Sequence, residues 1–171
     1  MKRRHFLPAL MGLTAGAGGI SLFVFHEKRR TEQARREAKF WRLEFLSPEG
    51  RVIALSQFKG RPLLLNFWAT WCPPCLKEMP LLSHFQRNQG SQGWQVLGLA
   101  IDAVPPVKAY LKQNPMEFDI GIAGFDGLDL AFELGNSTRQ LPFSVLFNRE
   151  GTVIGRQLGV LTAPDLAQLQ G

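Results

Sequence analysis

Residues 63–78 read Leu63-Leu64-Leu65-Asn66-Phe67-Trp68-Ala69-Thr70-Trp71-Cys72-Pro73-Pro74-Cys75-Leu76-Lys77-Glu78. An apolar run of strand character stops at Trp71, two cysteines separated by two prolines follow, and a helical pattern begins. The unbroken run predicts a strand over 63–67 buried on both faces. Leu76, Met79, Leu82 and Phe85 recur at helical spacing, which predicts a helix over 73–88, kinked by Pro80. These are the chain's two cysteines, so it makes one disulfide or none. At a strand-to-helix junction the first sulfur lies beside unpaired backbone N–H groups and the positive end of the helix. Both favour a thiolate, so Cys72 is expected to have a lowered pKa and to attack. Cys75, one turn inside, is expected to be the resolving thiol. Pro73 and Pro74 suit a first helical turn, with φ preset and no N–H to leave unpaired.

Two plainer readings compete. A purely structural disulfide would close a very small ring and restrict few unfolded conformations. Half a zinc site would need further ligands, and His5, His26 and His84 are scattered without ligand spacing. Redox chemistry is favoured over both. Glu78 lies three residues after Cys75 on the same side of the helix. Buried there, its carboxyl would titrate high and could exchange a proton with the Cys75 sulfur. Its alternative is a surface carboxylate beside Lys77, and His84 reads as an ordinary helix residue.

The 171 residues suffice for one domain with a core plus an extension. The formal charge of +6 is unevenly placed. Residues 1–42 hold ten Lys/Arg and three acids, and residues 43–171 hold ten Lys/Arg and eleven acids. The basicity therefore flanks the apolar N-terminal segment, which argues for a membrane flank and against nucleic-acid binding. That segment, 6–25, is about long enough to span a bilayer, although Pro8 and several glycines dilute it. Ala15-Gly16-Ala17 offers a cleavage site, but an uncleaved anchor is preferred because cleavage would leave an apolar mature end. Seven basic residues follow the segment and three precede it, which by charge alone would hold the rest in the cytoplasm. Arg3-Arg4-His5-Phe6-Leu7 resembles the twin-arginine export motif, and such signals tolerate later basic residues. Export is the expectation. Residues 27–42 read as a solvated spacer without an apolar face until Phe40 and Trp41, with helical support from Glu32 and Arg36.

Beyond the spacer, 43–46 and 52–55 read as a hairpin around Ser47-Pro48-Glu49-Gly50. A strand over 95–101 completes a right-handed βαβ unit with parallel strands. A helix over 104–114, a strand over 118–122 and a helix over 125–134 closed by Gly135 follow. Asp126 and Asp129 near a helix start suit the macrodipole better than a metal. Residues 144–147 and 152–158 form a second hairpin, and 163–170 a final helix.

Asn66 to Cys75, followed by Glu78-Met79-Pro80, resembles the active-site region of the thioredoxin superfamily. More narrowly it resembles the TlpA/ResA-like branch of membrane-anchored bacterial thiol-disulfide oxidoreductases. The resemblance covers about residue 45 to the C-terminus. It implies an α/β thioredoxin-like fold with a central mixed sheet, the first hairpin as an N-terminal addition and a helix-strand insertion in the middle. It implies that Glu78 is catalytic and that the Leu141–Pro142 bond is cis, with Pro142 against a sulfur and an open edge beside it for a substrate strand. Trp71, Pro73 and Leu141 would contact substrate, and Phe67, Trp68 and Trp71 would shape an apolar surface. Two departures from ordinary thioredoxin stand out: Asn66 occupies the place of a buried aspartate, and Gly98 that of its partner lysine. The lead-in Gly135–Gln140 lacks the usual Gly-Val pair, which bears on partner choice.

The expected organisation is an anchor or signal over 1–26, a basic spacer over 27–42 and a thioredoxin-like domain over 43–171, held at the cytoplasmic membrane and facing the periplasm. The implied activity is reduction of protein disulfides, as in cytochrome c maturation or oxidase assembly, recharged by a membrane electron donor. No cofactor, metal or nucleic acid is implied. A general disulfide oxidant remains an alternative. A peroxiredoxin-like peroxidase would want a threonine where Ala69 stands, and a copper-delivery protein wider cysteine spacing and a histidine.

Overall fold

The computed structural model describes residues 12–90 and 92–169. In chain order the elements are α1 (Gly12–Phe40), β1 (Glu44–Leu46), β2 (Val52–Ala54), a 3-10 turn (Leu55–Phe58), β3 (Leu63–Trp68), α2 (Pro73–Arg87), β4 (Gln95–Ala100), α3 (Val104–Gln113), β5 (Asp119–Ile122), α4 (Gly127–Glu133), β6 (Phe143–Phe147), β7 (Val153–Leu158) and α5 (Ala163–Gln168). The seven strands make one mixed sheet in the order β2-β1-β5-β4-β3-β6-β7. β3 pairs parallel with β4 and antiparallel with β6. This is the expected thioredoxin-like α/β arrangement, with the first hairpin added at the β5 edge.

β3 sits inside the sheet and every one of its residues is buried. That is why its sequence is an apolar run with one polar interruption, Asn66. The register sets Asn66 beside Gly98 on one side and Ser144 on the other. The helices keep close to their expected limits. α4 is shorter at its start, because Gly124 takes a positive φ of 60° and its carbonyl accepts from Gly127 N in a turn.

The chain divides into two compact units at Arg36/Glu37. In the second unit, Phe40 stacks on Phe147 with ring centroids 4.9 Å apart, and Trp41 meets the same ring edge-on at 5.1 Å. Trp41 Nε1 also donates to the Gly151 carbonyl at 2.7 Å. Phe40 and Trp41, read from sequence as the end of a solvated spacer, are thus buried in the core. Among the described residues, no helix is long and apolar enough to cross a membrane. The first part of the expected anchor, residues 1–11, with the Arg3-Arg4 motif, lies outside the described residues.

Candidate active site

β3 ends at Trp68, and the chain turns through Ala69–Trp71 to reach the mouth of α2. Cys72 is the N-cap of that helix, in extended conformation (φ −106°, ψ 94°), and Pro73 opens it. The Cys72 sulfur accepts from Cys75 N–H at 3.3 Å, one of the donors a helix leaves unpaired at its start. A disulfide joins Cys72 and Cys75, whose Cα atoms are 5.3 Å apart. Both cysteines are buried; Trp71, Pro73 and Pro74 around them are exposed.

The turn before Cys72 is pinned from β4. Asp102 accepts from the backbone N–H of Thr70 at 3.0 Å and from its hydroxyl, and with its other oxygen from Ala103 N–H at 2.8 Å. One buried carboxylate thus ties the cysteine loop to the start of α3. Sequence reading passed over Asp102, since nothing local distinguishes an acid at a strand end.

Glu78, three residues after Cys75 on α2, is buried at 1 % exposure. Its Oε1 accepts from Asn66 Nδ2 at 2.6 Å and its Oε2 from Leu161 N–H at 2.8 Å. Asn66 Nδ2 also donates to Ser144 Oγ at 3.0 Å. Burial raises the Glu78 pKa from 4.5 to about 7, and the Leu161 and Asn66 hydrogen bonds pull the other way. The surface alternative for this residue is excluded. Ser144 and Leu161 escaped the sequence reading; each is brought in by the sheet from more than sixty positions away.

Gly98 is the neighbour of Asn66, where the resemblance placed a missing lysine. A Cβ there would come within 2.7 Å of Ile120, 3.1 Å of Trp68 Nε1 and 3.2 Å of Phe118. The space a longer side chain would need is filled by Ile120 and two aromatic rings.

On the far side of β3, the Leu141–Pro142 peptide is cis. Pro142 is buried and Leu141 half-buried. The Pro142 carbonyl accepts from Gly159 N–H at 2.9 Å. The unusual lead-in is organised by Asn136, itself buried, whose Nδ2 donates to the Gln140 carbonyl at 2.8 Å and whose Oδ1 accepts from Thr138 at 3.2 Å. Arg139 takes a left-handed φ of 55° and pairs with Asp129 at 2.8 Å. The expected apolar surface is smaller than read. Phe67 and Trp68 are fully buried, because successive residues of a central strand face opposite covered layers, and Trp71 alone of the three reaches solvent at 55 % exposure.

Comparison with known proteins gives the family and the fold. The family profile described as Redoxin matches residues 36–170. Thiol-disulfide oxidoreductase ResA of Bacillus cereus (strain ATCC 10987 / NRS 248) is 30% identical over 169 residues, covering 97% of this chain and 94% of that protein. A crystal structure of a thioredoxin-related protein from Neisseria meningitidis serogroup B aligns with a TM-score of 0.65 at 28% identity, covering 74% of this chain and 95% of that one. A thiol:disulfide interchange protein of the thioredoxin family from Chlorobium tepidum TLS aligns with a TM-score of 0.67 at 24% identity, over 75% of this chain and 93% of that one, and shares the fold.

Proposed function

The chain belongs to the Redoxin family and is a thiol-disulfide oxidoreductase, and from that premise we propose how its residues divide the work. Cys72 attacks. Its thiolate bonds to one sulfur of a substrate disulfide, and the other sulfur leaves as a thiolate that takes a proton. Cys75 then gives up its proton, attacks Cys72 and expels the second substrate sulfur. The substrate gains two electrons and two protons, and the Cys72–Cys75 pair becomes a disulfide. Glu78 accepts the Cys75 proton, a task suited to a carboxyl that titrates near neutrality. In this reading the cis Pro142 bounds the substrate's docking edge, and Trp71, Pro73 and Leu141 contact the substrate.

The observation that carries this division is the helix-capping position of the Cys72 sulfur, with a backbone N–H directed at it. Thr70, the hydroxyl nearest in sequence, is spent on Asp102, so no observation favours peroxidase chemistry. The substrates are disulfides of exported proteins, of the kind met in cytochrome c maturation or oxidase assembly. A thiol-disulfide donor in the membrane recharges the pair, and the N-terminal segment holds the domain on the outer, periplasmic side of the cytoplasmic membrane. The support for location is the basic, apolar, basic pattern and the Arg3-Arg4 motif. Cys75→Ser tests the chemistry: it should stall mixed disulfides on Cys72, and partners trapped through any other position, or none, would refute it. A periplasm-dependent reporter fused after Gly171 tests the topology, and a well-expressed but inactive fusion reverses it.

A further inference from the structure

The groups around Glu78 are all donors: Leu161 N–H to Oε2 and Asn66 Nδ2 to Oε1. That set fits a carboxylate. A protonated carboxyl carries a donor of its own and needs an acceptor in its place. A backbone N–H cannot become one. A side-chain amide can, because a half-turn about its last torsion exchanges its N and O ends.

The surroundings of Asn66 suit both orientations. Ser144 Oγ now accepts from Nδ2 at 3.0 Å, and a hydroxyl can equally donate to Oδ1 after the turn. Asn66 Oδ1 is buried and at present has no hydrogen-bond partner. After the turn Nδ2 would take that same unpartnered place. Each orientation satisfies one amide end twice and leaves the other alone, so the balance between them is decided at Glu78.

We propose that Asn66 is a positioning residue whose amide turns over with the proton on Glu78, held in both orientations by Ser144. The N–H end faces the carboxylate; the carbonyl end accepts from the carboxyl. Glu78 can then hold or release a proton in a dry site without burying an unpaired O–H, which serves thiol-disulfide exchange in either direction. This rests on the role proposed above for Glu78. No second charge joins the hydrogen-bonded network among the described residues. β3 and β6 contribute Asn66 and Ser144, which do not titrate. Lys77 and His84 on α2 are exposed, Asp165 on α5 is half-buried and bonded to Thr162, and Cys72 and Cys75 are tied in the disulfide.

The test is NMR on the oxidised wild-type chain, following the Asn66 side-chain NH2 and the Glu78 carboxyl carbon from about pH 4 to about pH 10. The two signals should share one midpoint, and the Asn66 change should vanish in Glu78→Gln. In folded Asn66→Leu the donor to the carboxylate and the acceptor for the carboxyl are lost together, so the Glu78 midpoint should move by less than about one unit. Failure of the underlying Glu78 role shows separately, as an exchange rate whose pH profile is the same in Glu78→Gln while the wild-type resonances still titrate together. Asn66 signals that stay still while Glu78 titrates, or a Glu78 midpoint raised by well over about one unit in Asn66→Leu, the mark of an amide fixed as a donor, overturn the turning amide.

Discussion

Glu78 is the residue through which pH reaches both stability and rate. Folded, it holds its proton up to about 7, against 4.5 for an ordinary glutamate. Between those values the native state binds more protons than the unfolded chain, so stability falls as pH rises through the window. The full loss is about 3 kcal/mol, complete above the folded value. Urea unfolding of the oxidised protein at about pH 4 and about pH 8 should show that decline, and Glu78→Gln should flatten it. In exchange assays the same substitution should slow resolution of the mixed disulfide on the order of a hundredfold, the usual worth of a placed proton acceptor. Glu78 was legible from sequence because it lies one turn from Cys75. Ser144 and Leu161 were not, because only the folded sheet makes them its neighbours.

Two elements set the geometry around that carboxyl. α5 begins with a capping box, in which the Thr162 hydroxyl accepts from Asp165 N–H and the Asp165 carboxylate accepts from Thr162 N–H. The residue just before the box is Leu161, whose N–H reaches Glu78. Thr162→Ala should cost about 1 kcal/mol in chemical denaturation, the usual worth of a cap. Gly98 on β4 allows Trp68, Phe118 and Ile120 to close over the strand. Gly98→Ala should therefore destabilise by about 1–3 kcal/mol, as overpacking does; a neutral result would mean the aromatic layer yields. Strand and helix identities were readable because periodicity is local. The crowding at Gly98 was not, since sequence shows a missing side chain but not what fills its space.

At the scale of the whole molecule, the second compact unit begins at Glu37. Removing residues 1–36 should leave a folded, redox-active domain by circular dichroism and dithiothreitol cycling. Removing 1–42 also deletes Phe40 and Trp41 from the core, and truncating such buried aromatics costs about 3–5 kcal/mol each; that shorter form should not fold. Their burial was hidden in the sequence by the basic residues around them, and by the distance to their partner Phe147. The fold and the cysteine pair were legible because one strand-turn-helix motif carries them together, and the cis bond at Leu141–Pro142, far along the chain, through the family resemblance that motif supports. The most direct measurement of the proposed chemistry is alkylation of the fully reduced protein, resolved by mass at each cysteine across pH. Cys72 should react first, with an inflection well below the ordinary thiol value of about 8.5. An inflection at or above that value, or Cys75 reacting ahead of Cys72, would contradict an ionised sulfur at the mouth of α2.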